Sequence, residues 1–298
     1  MPPVPALPVI TAPQRTIGRR RFDFDRQIVI MGIVNRTPDS FYDGGRTYAL
    51  EAAVKAALSA AGAGAGWVDI GGVPFSPDTP DVPVQEEIDR VVPVVEAVSA
   101  ASDVAISVDT WRSEVAAASL AAGAAVINDT SGLYDPELAT VVAGSPATLV
   151  ITHSAAAPHV HLRRPTYGDV VAEVRSFLEQ RVERAVADGV PLDRIVVDPG
   201  HDLNKNTRHS LELTRRFGEI AAIGLPTVAA VSMKDFVGEA TGLDKPQRLA
   251  PSIAAATVCA LAGARILRMH DVAASVAAAT MIEAVLGLRE PAYLRHNM

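Results

Sequence analysis

The stretch IVIMGIVN, residues 28–35, is apolar for seven positions and then stops on an asparagine. It is too short for a helix and lacks the polar alternation of a strand with one wet face. An unbroken apolar run of this length reads as a strand buried on both faces, as in a parallel sheet. Seven further runs share the form: GWVDIGG (66–72), VAISVDT (104–110), AAVINDT (124–130), ATLVITH (147–153), RIVVDPG (194–200), PTVAAVS (226–232) and ARILRMHD (264–271). Between them lie Ala-, Val-, Leu- and Glu-rich stretches at helical spacing, such as 49–63, 112–122 and 170–188, and GAGAG at 62–66 is a helix stop. Eight strand–helix units in 298 residues predict a single (β/α)8 TIM barrel. The competing doubly wound sheet would carry G-x-G-x-x-G after its first strand, and that is missing.

Bulk properties narrow the function. The net charge of -7 argues against a nucleic-acid or polybasic membrane partner. The single cysteine, Cys259, excludes an intrachain disulfide and a cysteine-built zinc site, and fits a reducing cytoplasm. No apolar run reaches the ~20 residues of a membrane span. The Pro-rich start lacks a basic leader followed by an apolar core, so it does not read as a signal peptide. Residues 1–20 read as a disordered or extended tail, with the barrel filling 21–298.

Barrel chemistry sits at the carboxyl ends of the strands. Those ends carry Asn35, Asp69, Asp109, Asn128 with Asp129, His153, Asp198, Ser232 with Lys234, and Arg268 with His270 and Asp271. Each alone has a plain explanation: Asp129 and Asp271 suit helix caps, Asp69 a support, His153 a satisfied structural histidine. Together they are costly to desolvate unless they meet a ligand or each other. Asp109, Asn128 and Asp198 suit a flat heterocycle rich in N–H donors, and Lys234 can donate to a ring oxygen or nitrogen. Arg268 and His270 share one face of their strand and suit a phosphate. Asn35 offers a neutral oxygen compatible with a Mg²⁺ that keeps most of its waters. The H-V-H of His159 and His161 is a weak metal pattern.

At these residues the chain resembles the dihydropteroate synthases. MGIVNRTPDSFYDGG (31–45), VDIGG (68–72), SVDTWR (107–112), INDTSG (127–132), VDPG (197–200), SMKDF (232–236) and RMHDV (268–272) are similar to that family's motifs, in its order. The resemblance implies a transferase of folate biosynthesis that joins a pterin methyl diphosphate to 4-aminobenzoate and releases diphosphate. It implies that Asp109, Asn128, Asp198 and Lys234 hold the pterin. Asn35, Arg268 and His270 would hold the diphosphate and its Mg²⁺ and serve the reaction. It further implies a lid over residues 37–45, carrying Thr37, Asp39, Ser40 and Asp43, and a homodimer through outer helices; the Ala-rich stretches 252–262 and 272–284 can pack closely there or against the barrel.

The pattern departs where the second substrate would bind. The family's Gly-Gly-Glu-Ser-Thr/Ser-Arg-Pro-Gly is GGVPFSPDT here, with Phe75 and Ser76 in place of the Thr/Ser and Arg. Its Asp-Pro-Gly-x-Gly-Phe-x-Lys is DPGHDLNK, so Asp202 and Leu203 replace Gly and Phe while Lys205 stays. Met233 replaces an arginine, and Arg36 a small apolar residue. NKNTRHS (204–210) and the DF of SMKDF (232–236) are similar to divergent second copies of the enzyme that some bacteria carry. The replacements raise the alternative of a non-catalytic pterin binder with a degraded aminobenzoate pocket. A folate-dependent methyltransferase or an unrelated phosphorylated ligand fits the lid signature less well.

Overall fold

A computed structural model describes residues 7–35, 46–73, 81–158, 160 and 162–296. Its strands are β1 (Gln14–Ile17), β2 (Arg20–Asp23), β3 (Val29–Asn35), β4 (Trp67–Gly71), β5 (Ala105–Asp109), β6 (Val126–Asp129), β7 (Thr148–Thr152), β8 (Ile195–Asp198), β9 (Val228–Ala229) and β10 (Ile266–Met269). Its helices are α1 (Arg46–Gly62), α2 (Val84–Ala101), α3 (Ser113–Ala121), α4 (Leu138–Ala143), α5 (Val170–Ala187), α6 (Thr207–Arg215), α7 (Phe217–Ala221), α8 (Asp235–Thr241), α9 (Leu249–Leu261) and α10 (Val272–Val285). Strands β3 to β10 are parallel in the order β8-β7-β6-β5-β4-β3-β10-β9, and a parallel bridge from Val197 to Thr227 closes the ring. The eight-stranded barrel expected from the apolar runs is the fold of the chain.

The side-chain period of two sorts each strand into two cores. Ile30, Val68, Ile106, Ile127, Leu149 and Leu267 face the surrounding helices in one buried cluster. Val29, Met31, Trp67, Val126, Val150, Val196 and Ile266 belong to a second cluster inside the barrel. Further along the strands the inward positions turn polar: Asp69, Ser107, Asp109, Asn128, Asp198 and Arg268. Register then aligns the mouth, because Asn35 pairs with Gly71, Gly71 with Asp109, and Asp109 with Asn128.

Of the expected tail over residues 1–20, residues 1–6 lie outside the described residues, and the fold corrects the remainder. Residues 14–23 form an antiparallel hairpin, β1 with β2. Gly18, at φ 60°, supplies the left-handed residue of its two-residue turn. Ile10, Ile17, Phe22 and Phe24 are buried against Trp67 and Val29, so the hairpin plugs the amino end of the barrel. Arg15 is buried with it, donating to the carbonyls of Ile195 (2.7 Å), Ala12 (3.0 Å) and Thr11 (3.2 Å). Burial lowers its pKa to about 10. Among the described residues no helix is long and apolar enough to cross a membrane.

Candidate active site

The plug leaves the barrel open at the carboxyl end, where a cavity of about 550 Å³ is lined by Asn35, Asp109, Asn128, Asp198, Lys234, Arg268 and His270. The structure therefore brings all seven sequence-selected residues, drawn from β3, β5, β6, β8, β10 and the start of α8, to one mouth.

Asp69 lies at the floor, fully buried, as the hub of this set. Its Oδ1 accepts from Ser107 Oγ at 2.6 Å. Its Oδ2 accepts from Asn128 Nδ2 at 3.1 Å and from Arg268 Nε at 2.6 Å. Arg268 Nη2 continues to Asp109 Oδ2 at 3.0 Å, and Thr130 Oγ1 donates to Asp109 Oδ1 at 3.2 Å. Burial raises the Asp109 pKa to about 7; Arg268 works against that shift, and the Asp69 charge adds to it. Burial opposes the Arg268 charge, yet Asp69 and Asp109 outweigh it and hold the guanidinium protonated.

On the opposite wall Asp198 accepts from Gly200 N at 2.7 Å. Burial raises its pKa, and the Gly200 amide and the cations of Lys234, Arg268 and Lys205 offset part of that. Lys234 donates to the His201 carbonyl, and burial lowers its pKa. His270 Nδ1 stands 2.9 Å from Ser232 Oγ. Desolvation, with the cations Arg268, Lys245 and Lys234, lowers its pKa to about 4, so the imidazole is neutral near pH 7. Arg268 and neutral His270 give an anion one charged fork and one neutral donor.

Three residues with plain explanations have plain roles. Asp129 accepts from the Ser131 and Leu133 amides and shapes the loop after β6. Asp271 caps α10 through Ala274 N at 2.9 Å. His153 packs edge-on to Phe177 at 4.7 Å. Burial and neighbouring Lys205 lower its pKa to about 2. Lys205 itself is buried, donating to the carbonyls of Gly200 (2.9 Å) and Leu203 (3.0 Å), with His153 Nδ1 at 2.8 Å. It pins the loop that carries two of the departures. Asp202 keeps the left-handed backbone suited to glycine, φ 65°, and its carboxylate accepts from Ser210 Oγ (2.8 Å) and Phe236 N (3.2 Å). Leu203 and Met233 line the cavity, and Met233 is also left-handed at φ 58°. Arg36, the lid residues Thr37, Asp39, Ser40 and Asp43, the departures Phe75 and Ser76, and the pair His159 and His161 lie outside the described residues.

Sequence reasoning missed Ser107, Thr130, Trp111 and Lys245, of which the last three line the cavity. Thr130 directly follows the end of β6 and Trp111 stands two residues past the end of β5, and that closeness was the available signal; Lys245 gave none. Among the described residues no three His, Cys, Asp or Glu side chains group as metal ligands. Asn35 ends β3 at the exposed rim, its Oδ1 3.7 Å from where a Cβ on Gly71 would stand. One neutral oxygen there is a donor of the type that a Mg²⁺ keeping most of its waters would accept.

A closed barrel with carboxylates, an amide and cations converging at its carboxyl end defines an enzyme of the (β/α)8 class. The pterin binding enzyme family matches residues 31–270, and the chain belongs to that family. It is 45% identical over 273 residues to the inactive dihydropteroate synthase 2 of Mycobacterium leprae, covering 90% of this chain and 93% of that protein. It is 37% identical over 261 residues to the dihydropteroate synthase of Escherichia coli K12, covering 88% and 93%. The solved structure of Xanthomonas albilineans dihydropteroate synthase with 4-aminobenzoic acid matches with a TM-score of 0.86 at 40% identity, covering 92% of this chain and 98% of that one. The motif resemblance read from the sequence, divergent second copies included, stands.

Proposed function

We propose that this chain is a dihydropteroate synthase-like transferase, binding a 6-hydroxymethyl-dihydropterin diphosphate and coupling it to 4-aminobenzoate or another amine with release of diphosphate. The observation that carries this reading is the convergence of all seven selected residues on one cavity of about 550 Å³. Asp109, Asn128 and Asp198 present acceptors to the donor edge of the pterin, and Lys234 donates to its oxygen or nitrogen face. Arg268 and His270 meet the diphosphate.

The reaction exchanges a carbon–oxygen bond for a carbon–nitrogen bond. As the methylene carbon parts from the diphosphate, negative charge grows on the leaving oxygens, where Arg268 and the neutral His270 donate. A Mg²⁺ held by Asn35 and the diphosphate would neutralise part of that charge. The amine lone pair attacks the methylene carbon, and the ammonium proton leaves to solvent. The site contributes positioning and fixed charge rather than a strong base.

A second reading, pterin binding without synthase turnover, is favoured by Leu203 and Met233 on the cavity wall. The M. leprae relative named as inactive supports it too. Purified protein given pterin diphosphate, Mg²⁺ and 4-aminobenzoate is expected to release diphosphate. Calorimetric binding of pterin diphosphate without release, with any arylamine, selects the second reading; no binding at all removes both. We further propose a cytoplasmic homodimer joined through α9 and α10.

A further inference from the structure

We propose that Asp69 is the positioning residue that makes this mouth read a donor-rich ring edge, by fixing which face of Asn128 and which nitrogens of Arg268 the cavity sees. The proposal rests on the pterin reading and assigns the source of its specificity. Asp69 touches no ligand space: it is fully buried and does not line the cavity. Its two oxygens take three donors, from Ser107, Asn128 and Arg268.

The chemistry of that hub settles the Asn128 amide. A carboxylate with these donors only accepts, so the Asn128 atom 3.1 Å from Oδ2 is the nitrogen. The amide oxygen is then the atom turned to the cavity, beside Asp109 and Asp198. Three acceptors face a ligand edge that must supply N–H groups, as the amino and ring N–H of a 2-amino-4-oxo pteridine do. An amide turned the other way would set N–H against N–H. Asp69 likewise takes Arg268 Nε and leaves the terminal nitrogens, one of them on Asp109, to point into the mouth. Ring recognition and anion recognition are thus set by one buried carboxylate.

Two variants separate positioning from plain structural support. Asp69→Asn keeps an oxygen for Asn128 and Arg268, and its amide nitrogen can donate to Ser107 Oγ. It removes one negative charge beside Asp109, around which Arg268, Glu87 and Lys234 also place charge, with the Thr130 hydroxyl on its carboxylate. The probe is 6-hydroxymethyl-dihydropterin without diphosphate, titrated from pH 5.5 to 8.5 by calorimetry. Asp69→Asn is expected to bind the ring within about threefold of wild type at pH 8, with the midpoint of its pH dependence lowered by about one unit or more. Asp69→Ala leaves Asn128 free to turn and is expected to lose at least about tenfold in ring affinity while inorganic diphosphate binding also weakens. An unshifted midpoint in Asp69→Asn overturns the proposal, even if Asp69→Ala fails to fold, and so does wild-type affinity in Asp69→Ala. If the wild-type protein itself ignores the ring, the pterin reading falls and this one with it; wild-type binding with unmoved variants removes only the role of Asp69.

Discussion

At Lys205 one buried ammonium meets the Gly200 and Leu203 carbonyls and the His153 ring. Lys205→Met leaves the buried Leu203 carbonyl without its donor and the Gly200 carbonyl with the Leu203 amide alone, and is expected to lower stability by about 2 kcal/mol, read by urea denaturation. Burial lowers the lysine's own pKa well below its usual value, so part of the lost interaction is offset by the end of its desolvation. Asp109 gives the clearest pH effect. Its pKa is raised to about 7, so at lower pH it carries a proton and loses its acceptor role toward the ring. Ring binding releases that proton and is expected to weaken as pH falls through 7, by up to about tenfold per unit below it. A flat profile between pH 6 and 8 would contradict the assignment. Arg268→Lys trades a planar fork for a point charge shared by Asp69 and Asp109, and diphosphate affinity is expected to fall by about tenfold or more. The inward carboxylates were legible because a charge at the end of an otherwise apolar strand has few other reasons to be there. Ser107 was not, since a small polar side chain inside a barrel reads as filler, and Lys245 reaches the rim only through a loop path no periodicity reports.

The parallel strands were the most legible elements, because burial on both faces demands runs that no surface segment shows. One of them falls furthest short of its run: of residues 226–232 only Val228–Ala229 form β9, and the chain turns through Ser232 and left-handed Met233 to deliver Lys234 to the mouth. The hairpin β1–β2 was hidden by composition. Its arginines, following a Pro-rich start, match the composition of a tail, and the anchors Ile10, Ile17, Phe22 and Phe24 are too sparsely spaced to form a pattern. They act through depth rather than period: Phe24 is fully buried, Phe22 lies edge-on to Trp67 at 6.2 Å, and Arg15 stands 5.9 Å from the Phe24 ring centroid. Phe24→Ala is expected to destabilise the fold by about 3 kcal/mol or more in a denaturant titration, with ring affinity in the folded fraction unchanged. The hairpin closes the end of the barrel opposite the mouth, so a loss of affinity instead would place the hairpin in the binding machinery.

Across the whole molecule, the barrel spends its polar side chains on the mouth and its apolar ones on the two cores, yet α9 and α10 keep an apolar exterior. Val258 and Leu261 on α9 are 46% and 39% exposed, and Met281 and Val285 on α10 are 64% and 59% exposed. Single exposed apolar residues need no partner, but a group on two packed neighbouring helices is a contact surface in waiting. The same helices were singled out from the sequence as small-residue stretches able to pack closely, which their Ala content made visible while the protruding Met and Val did not stand out. A homodimer joined here leaves each mouth open, because the cavity residues sit at the ends of the strands and these side chains face away from the barrel. Wild-type protein is therefore expected to sediment at about twice 31.3 kDa. The double variant Met281→Lys with Val285→Lys is expected to sediment as a monomer while ring affinity stays the same. A monomeric wild type would remove the interface, and a monomeric variant with a weakened site would mean that the partner subunit helps to shape the mouth.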